Sequence, residues 1–146
     1  MTTGEEVFNL YAKIYNEVFD SVVKVFDGVV DLLEFFKEKG IKCAIATGCD
    51  ISLMDIALAK LDLAKYMTAV VTCDDVGEHK PNPLVYMAAM EKCGATKEES
   101  IIFEDSVVGI KGAKNAQCLQ HLLYLSDNNR LEEKKSYTDY HFTDYK

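Results

Sequence analysis

The order of apolar and polar residues at the start of the chain predicts two amphipathic helices. Residues 5–19 carry apolar side chains at helical spacing, with Thr3 and Glu6 placed to form a capping box before them. A second helix is predicted over residues 29–39, where Gly40 supplies the conformation that commonly ends a helix. The sequence therefore predicts helical structure over most of its first 40 residues.

Short, continuously apolar segments then alternate with further helices. Strands are predicted at residues 43–46, 69–72, 100–103 and 121–125, and helices at residues 52–61, 83–93 and 107–116, with a weak one near residues 130–134. The acidic segment from Cys73 to His79 is predicted to be a loop, and Pro83 to open its helix at the first helical position. This alternation predicts an α/β fold, a three-layer α/β/α Rossmann-like core with a parallel sheet.

Composition narrows the class of protein. The chain has 146 residues, 49% of them apolar, and 16 Lys and Arg against 24 Asp and Glu give a net charge of −8. The apolar fraction argues against disorder, and the acidic balance argues against a nucleic-acid partner. No apolar run approaches a membrane span, the N-terminus is unlike a signal peptide, and the five cysteines form no CxxC pair. We therefore expect a reduced cytoplasmic protein with no membrane partner.

Polar residues collect directly after the predicted strands. In open parallel sheets, ligands bind at the carboxyl ends of the strands. The segments at those ends are Thr47-Gly48-Cys49-Asp50, Cys73-Asp74-Asp75, Glu104-Asp105-Ser106 and Ser126-Asp127. This edge of the sheet is where the sequence predicts a functional site.

Two of these segments, and a lysine that follows the second predicted strand at Lys80, have chemistry that suits a phosphorylated ligand and a metal. The adjacent carboxylates of Glu104 and Asp105 suit Mg²⁺, although such a pair can also be a solvated turn. The hydroxyl of Thr47 and the backbone of Gly48 can hold a phosphate oxygen, although both residues also serve as ordinary caps. Lys80 precedes a stiff proline segment and can reach a phosphate as a point charge, although a single loop lysine is usually solvent-exposed surface.

Together the three segments are more specific than each is alone. The apolar strand ending at Thr47, the segment Lys80-Pro81-Asn82-Pro83, and the run from Ile102 to Ala113 follow one another in order. They resemble the haloacid dehalogenase superfamily, and most closely its phosphatase branch, which includes β-phosphoglucomutase. The similarity extends from Val25 to Cys118.

The resemblance implies a Mg²⁺-dependent phosphoryl transfer from small phosphorylated metabolites through an aspartyl-phosphate. Thr47 matches the threonine that hydrogen-bonds the transferring group, with Gly48 beside it, and Lys80 matches the lysine that steadies the charge of nucleophile and phosphate. Glu104 and Asp105 match the acids that hold Mg²⁺, with Asp105 as the direct ligand. The catalytic contribution implied is electrostatic stabilisation.

The chain departs from the family at its nucleophile. The family's first strand ends in DxDx[TV], and no DxD occurs here; the nearest segment, Val25 to Gly28, offers only Asp27, which we interpret as a turn residue. The helix over residues 5–19 resembles the last helix of the family's cap, which divides the chain into a cap remnant, residues 1–20, and a core, residues 21–146. We expect little or no turnover from a chain without the nucleophile. The alternatives are a non-catalytic module that binds a protein or phosphorylated ligand, or an incomplete copy of an ordinary enzyme.

The missing strand also matters for the fold. In the family it lies between the strand ending at Thr47 and the strand ending at Phe103. Unless those two strands pair directly and close the sheet at four strands, their facing edges require a partner, at a cost of about 1–3 kcal/mol for each unsatisfied group. A partner chain, including a second copy, could supply a fifth strand. The tyrosine-rich end, with Tyr137, Tyr140 and Tyr145, is expected to pack on the surface.

Overall fold

Helices and strands alternate in the order that the sequence predicts. The computed structural model describes residues 3–124, 130–138 and 140–145. The helices are α1 (Gly4–Val22), α2 (Val29–Glu38), α3 (Ile51–Lys60), α4 (Cys73–Val76), α5 (Leu84–Cys93), α6 (Val107–Ala116) and α7 (Leu131–Lys135). The strands are β1 (Cys43–Thr47), β2 (Met67–Thr72), β3 (Ile101–Glu104), β4 (Gln120–Tyr124) and β5 (Tyr140–Phe142). The predicted α/β fold with parallel strands is confirmed.

The predicted helix ends form through local hydrogen bonds. The backbone N–H of Glu6 donates to Thr3 Oγ1 at 3.2 Å, and the N–H of Thr3 donates to Glu6 Oε2 at 2.8 Å, which completes the capping box of α1. Gly40 lies beyond α2 with a φ of 68°, a left-handed conformation that glycine adopts without steric cost. Each of these two helix boundaries was readable from a few adjacent residues.

Two local predictions were wrong. The segment from Cys73 to His79 is not all loop, because Cys73–Val76 forms a short helix. A second capping box causes it, in which Thr72 Oγ1 accepts from the N–H of Asp75 and Asp75 Oδ2 accepts from the N–H of Thr72. Pro83 is the N-cap of α5 and not its first helical residue, since the helix begins at Leu84.

The strands form two parallel sheets, and the single sheet that the sequence predicts is split. β1 pairs with β2, which places Thr47 opposite Thr72, and β3, β4 and β5 form a second sheet in that order. Within the described residues β1 and β3 do not pair, so the first of the two alternatives, a sheet closed by direct pairing of these strands, does not occur. Helix packing accounts for the arrangement, because α5 packs on β1 and β2 while α6 packs on β3 and β4.

One layer of helices holds both sheets. A buried apolar cluster joins residues of β2, α4, α5, β3 and α6 with Cys118, which lies between α6 and β4: Val71, Cys73, Val85, Tyr86, Ala89, Ile102, Ala113, Ala116 and Cys118. Burying this apolar surface is the main force that keeps the two sheets side by side without strand pairing between them. The carboxyl ends of β1 and β3 are thereby fixed at the same edge.

The C-terminal part of the described chain contributes a strand that the sequence did not reveal. β5 has only three residues and two of them, Tyr140 and His141, are exposed. Such a short and half-polar segment gives no clear alternation of apolar and polar positions. The Ser126-Asp127 pair, which follows the fourth predicted strand, and Leu125, its predicted last residue, lie outside the described residues.

Helix α1 packs on the rest of the chain through a small part of its apolar surface. Phe19 is 1% exposed, and the ammonium group of Lys60 in α3 lies 5.3 Å from the centre of its ring. The remaining apolar side chains of its predicted stripe stay exposed, at Val7, Leu10, Tyr11, Ile14 and Val18. Among the described residues, no helix combines the length and the apolar character needed to cross a membrane.

Candidate active site

Lys80 lies at the carboxyl end of β1. Its Nζ donates to the carbonyl oxygen of Ala46 at 3.0 Å, and Ala46 directly precedes Thr47. The side chain is 14% exposed, so the ammonium is largely removed from solvent. The peptide bond between Lys80 and Pro81 is cis. The loop lysine that the sequence singled out is therefore not ordinary surface.

Glu104 is the negative partner of Lys80. It ends β3, its side chain is 9% exposed, and its Oε1 accepts from the Lys80 ammonium and from the Tyr86 hydroxyl, the latter at 2.6 Å. Its Oε2 lies 3.4 Å from the Ser106 hydroxyl. A charge pair this far from solvent is held firmly only because the neighbouring groups satisfy its remaining hydrogen-bonding capacity.

Thr47 and Gly48 form the turn between β1 and α3. Thr47 Oγ1 accepts from the N–H of Cys49 at 3.0 Å, so the hydroxyl does act as a local cap. A hydroxyl that accepts one hydrogen bond keeps its own hydrogen for donation. Gly48 is exposed, and a Cβ at this position would come no closer than 3.9 Å to the Cys73 sulfur. The turn can thus act as a cap and still present a donor to a ligand.

Asp105 follows β3 beside an aromatic cluster formed by Phe26, Phe103, Tyr124, Phe142 and Tyr145. Burial, with a contribution from the negative charges of Tyr124 and Asp105, raises the pKa of Tyr145 to about 12. The sequence analysis placed Tyr145 at the surface and gave no indication that it lies near Asp105. The tyrosine-rich end of the chain therefore borders the candidate site.

A complete metal site is not formed by the part of the chain that the structure describes. No group of three or more His, Cys, Asp or Glu side chains there is arranged to hold an ion. Both oxygens of Glu104 lie against protein groups, namely Lys80, Tyr86 and Ser106. The assignment of Glu104 and Asp105 to Mg²⁺ accordingly stays a prediction from the family resemblance, and these two residues alone do not fit the role.

The Asp105→Asn substitution is expected to lower the pKa of Tyr145, because it removes a negative charge that opposes ionisation of the phenol. The raised pKa of Tyr145 favours the folded state below about pH 10, and this contribution is lost as the pH rises through about 12. With Asp105→Asn, this contribution to the stability of the folded state should therefore be lost at a lower pH. A ¹³C NMR titration of the tyrosine side chains measures the shift in the pKa of Tyr145.

The control for this titration is Asp62→Asn, which removes a carboxylate paired with Lys65. An unchanged Tyr145 titration in Asp105→Asn would contradict the proximity of Asp105 to Tyr145.

Asp27 lies where the sequence interpretation placed it. It forms an exposed turn with Gly28, whose φ is 86°, directly before α2. Two residues that support the site were missed: Tyr86 in α5 and Gly109 in α6. The signal for them was weak, since a tyrosine six residues after Lys80 and a glycine three residues after Ser106 are common in helices packed against a sheet.

The comparison with protein families agrees with this arrangement of residues. The model of the haloacid dehalogenase-like hydrolases matches residues 2–120. The chain belongs to this family. The resemblance drawn from the segments around Thr47, Lys80 and Glu104 is thereby confirmed. As a member of the haloacid dehalogenase-like hydrolase family, it carries a phosphatase-like domain.

Three relatives show how similar this chain is to known members of the family and how much of their length it covers. A phosphorylated carbohydrates phosphatase of Thermotoga maritima is 36% identical over 111 residues, which are 74% of this chain and 51% of that protein. A hydrolase of known structure from Pseudomonas syringae superposes with a TM-score of 0.81 at 26% identity, over 99% of this chain and 67% of its own. A β-phosphoglucomutase of Clostridium difficile, at 15% identity, shares the fold with a TM-score of 0.78, over 99% of this chain and 63% of its own. The chain spans about half the length of the curated relatives it matches.

Proposed function

We propose that the chain is the phosphoryl-binding part of a phosphatase that acts on small phosphorylated metabolites. The observation that carries the proposal is the position of the Lys80 ammonium, held at the carboxyl end of β1 by the carbonyl of Ala46, next to Thr47. In this proposal the Thr47 hydroxyl and the N–H of Gly48 donate to phosphate oxygens, and Lys80 neutralises their charge. The metabolite class comes from the relatives, among them the phosphorylated carbohydrates phosphatase.

The chemical role of these residues is electrostatic. A phosphoryl group in transfer spreads negative charge over its oxygens, and fixed donors lower its free energy without reorganising. In the family, an aspartate carboxylate attacks phosphorus and displaces the alcohol. Water then hydrolyses the resulting aspartyl-phosphate, which releases phosphate and restores the carboxylate. Asp27 is exposed in the turn before α2, and we assign it no part in this step. The chain by itself is therefore proposed to bind the phosphoryl group without turning it over.

Completion of the site requires a further carboxylate. Mg²⁺ in proteins is bound through one or two carboxylates, waters and substrate phosphates. Asp105 would be this chain's ligand once a further carboxylate lay beside it, and we expect weak affinity for Mg²⁺ until then. A strand from a partner chain, which could be a second copy, is proposed to enter between β1 and β3 and to bring that carboxylate. We assign residues 1–20 to a cap remnant and residues 21–146 to the core.

The second candidate is a binding module without catalysis. Its support is the pair of strand edges of β1 and β3, which do not pair with each other in the described residues. Unpaired edges accept extended segments of other proteins through backbone hydrogen bonds. Both candidate functions require a strand from another segment to insert between β1 and β3. They differ in whether phosphate-ester hydrolysis follows once that strand is bound.

Phosphate affinity tests the proposed site. Thr47→Val keeps the shape of the side chain and removes the hydroxyl, so we expect inorganic phosphate to bind about tenfold more weakly, the equivalent of about 1.4 kcal/mol for a hydrogen bond to a charged group. Calorimetric titration of the full chain measures the change. Thr68→Val, an exposed position in β2, is the matched control. Equal affinity in Thr47→Val and the unsubstituted chain would remove Thr47 from the site.

Hydrolysis of 4-nitrophenyl phosphate, with and without Mg²⁺, tests the absence of turnover. The proposal expects no release of 4-nitrophenolate above the buffer rate in either condition. Turnover that depends on Mg²⁺ and vanishes in Asp105→Asn would contradict it. The nucleophile would then lie within this chain, and Asp27→Asn would be the next variant to measure.

A further inference from the structure

We infer that Tyr86 is a positioning residue that fixes the Lys80 ammonium through Glu104, an inference that rests on the proposed phosphoryl-binding role of Lys80. The Tyr86 hydroxyl donates to Glu104 Oε1 at 2.6 Å, and the same oxygen accepts from Lys80. The Lys80 Nζ also lies 4.8 Å from the centre of the Tyr86 ring. Tyr86 therefore contacts both members of the charge pair.

Burial makes the Tyr86 hydroxyl a dependable donor. The residue is 3% exposed, so little water reaches the hydroxyl to compete for its hydrogen bonds. The hydroxyl has two acceptors in reach, Glu104 Oε1 and the carbonyl oxygen of Gly109 at 3.0 Å. Of the two, the carboxylate is the stronger acceptor and receives the hydrogen preferentially.

Two glycines of α6 leave the space that this arrangement needs. A Cβ on Gly109 would lie 1.9 Å from Glu104 Oε2 and 2.3 Å from its Cδ, distances at which the carboxylate must move. A Cβ on Gly112 would lie 2.9 Å from Cε2 of the Tyr86 ring. Residues three apart lie on the same face of a helix, so both glycines serve the same contact. Glu104 and Tyr86 pack directly on the backbone of α6 for this reason.

The arrangement leaves Lys80 with one hydrogen to offer a ligand. An ammonium group has three N–H donors. One points to the carbonyl of Ala46 and one to Glu104, whose position Tyr86 fixes. Fixing these two donors also fixes the direction of the third, on an ammonium that the Ala46 carbonyl holds at the carboxyl end of β1. Tyr86 thus prepares Lys80 for an anion without contacting the anion itself.

The Tyr86→Phe substitution tests the inference, because it removes the hydroxyl and keeps the ring. The ¹⁵Nζ resonance of Lys80, assigned by its loss in Lys80→Arg, reports the hydrogen bonds of the ammonium directly. We expect Tyr86→Phe to shift this resonance and to weaken inorganic phosphate binding about tenfold. The matched control is Tyr137→Phe, whose ring lies 5.0 Å from the Lys111 ammonium. A Lys80 resonance that is unchanged in Tyr86→Phe would overturn the inference.

A second variant approaches the same contact from α6. Gly109→Ala displaces the Glu104 carboxylate and should shift the Lys80 resonance as well, whereas Gly4→Ala, where a Cβ meets nothing within 4 Å, should not. If Gly109→Ala fails to fold, Tyr86→Phe alone decides. The NMR comparison is independent of phosphate. An unsubstituted chain that binds no phosphate would refute the proposed function, while the resonance of Lys80 would still support or overturn the positioning role.

Discussion

Replacing Lys80 with methionine is expected to destabilise the fold by about 3–5 kcal/mol and to abolish phosphate binding. The substitution leaves the Glu104 carboxylate, 9% exposed, without its positive partner. An unpaired charge in such surroundings costs far more than the pair itself contributes. The carbonyl oxygen of Ala46 loses a donor as well. Urea-induced unfolding measures the loss of stability and calorimetry the loss of phosphate affinity.

Two further variants separate the lost charge pair from a general packing defect. Lys80→Met combined with Glu104→Gln removes both charges and keeps an acceptor for the Tyr86 hydroxyl, so most of the stability should return while phosphate binding stays absent. Lys111→Met breaks a more exposed pair with Glu133, at 3.0 Å, and should cost much less stability than Lys80→Met. Equal losses for Lys80→Met and Lys111→Met would show that the Lys80–Glu104 pair is not buried as described.

The sequence predicted the parts of the site that depend on strand ends. The apolar runs before Thr47 and Glu104 placed both residues at the carboxyl edge of a parallel sheet, and the structure has β1 and β3 ending at these positions. Lys80 was singled out by its proline-rich neighbours and the family pattern, and it does reach the end of β1. Each prediction needed only a local pattern and the rule that parallel strands share their carboxyl edge.

Contacts between distant residues could not be predicted in the same way. Tyr86 lies in an apolar helical segment, and only the fold brings its hydroxyl to Glu104, 18 residues away. The splitting of the sheet has the same origin, since strand pairing depends on which edges the helices α5 and α6 bring together. Gly109 gave no sign of its role either, because its importance comes from the Glu104 side chain that packs on it. These features depend on how distant parts of the chain pack together, and the pattern of residues within one short segment does not predict that.

Adding the first strand of the family to this chain is expected to give it phosphatase activity. The strand would be fused to the N-terminus by a Gly/Ser linker of about 20 residues, which spans roughly 25 Å. It would carry an apolar segment ending in Asp-x-Asp-x-Thr. Inserted parallel to β1 and β3, it would place its first aspartate at their carboxyl ends, near Lys80 and Asp105. Release of 4-nitrophenolate in the presence of Mg²⁺ should then rise from the buffer rate to a measurable one.

Insertion and catalysis can be measured separately. The backbone of Ala46 faces the gap, because its carbonyl accepts from Lys80, and residues two apart in a strand face the same side, so Ala44 faces it too. Hydrogen exchange at these two amides should slow when the strand inserts. The matched control replaces the first aspartate of the added strand with asparagine, which should insert equally well and give no turnover. Slower exchange without turnover from either fusion would contradict the phosphatase proposal and favour the binding module, because the edges would then accept a strand that does no chemistry.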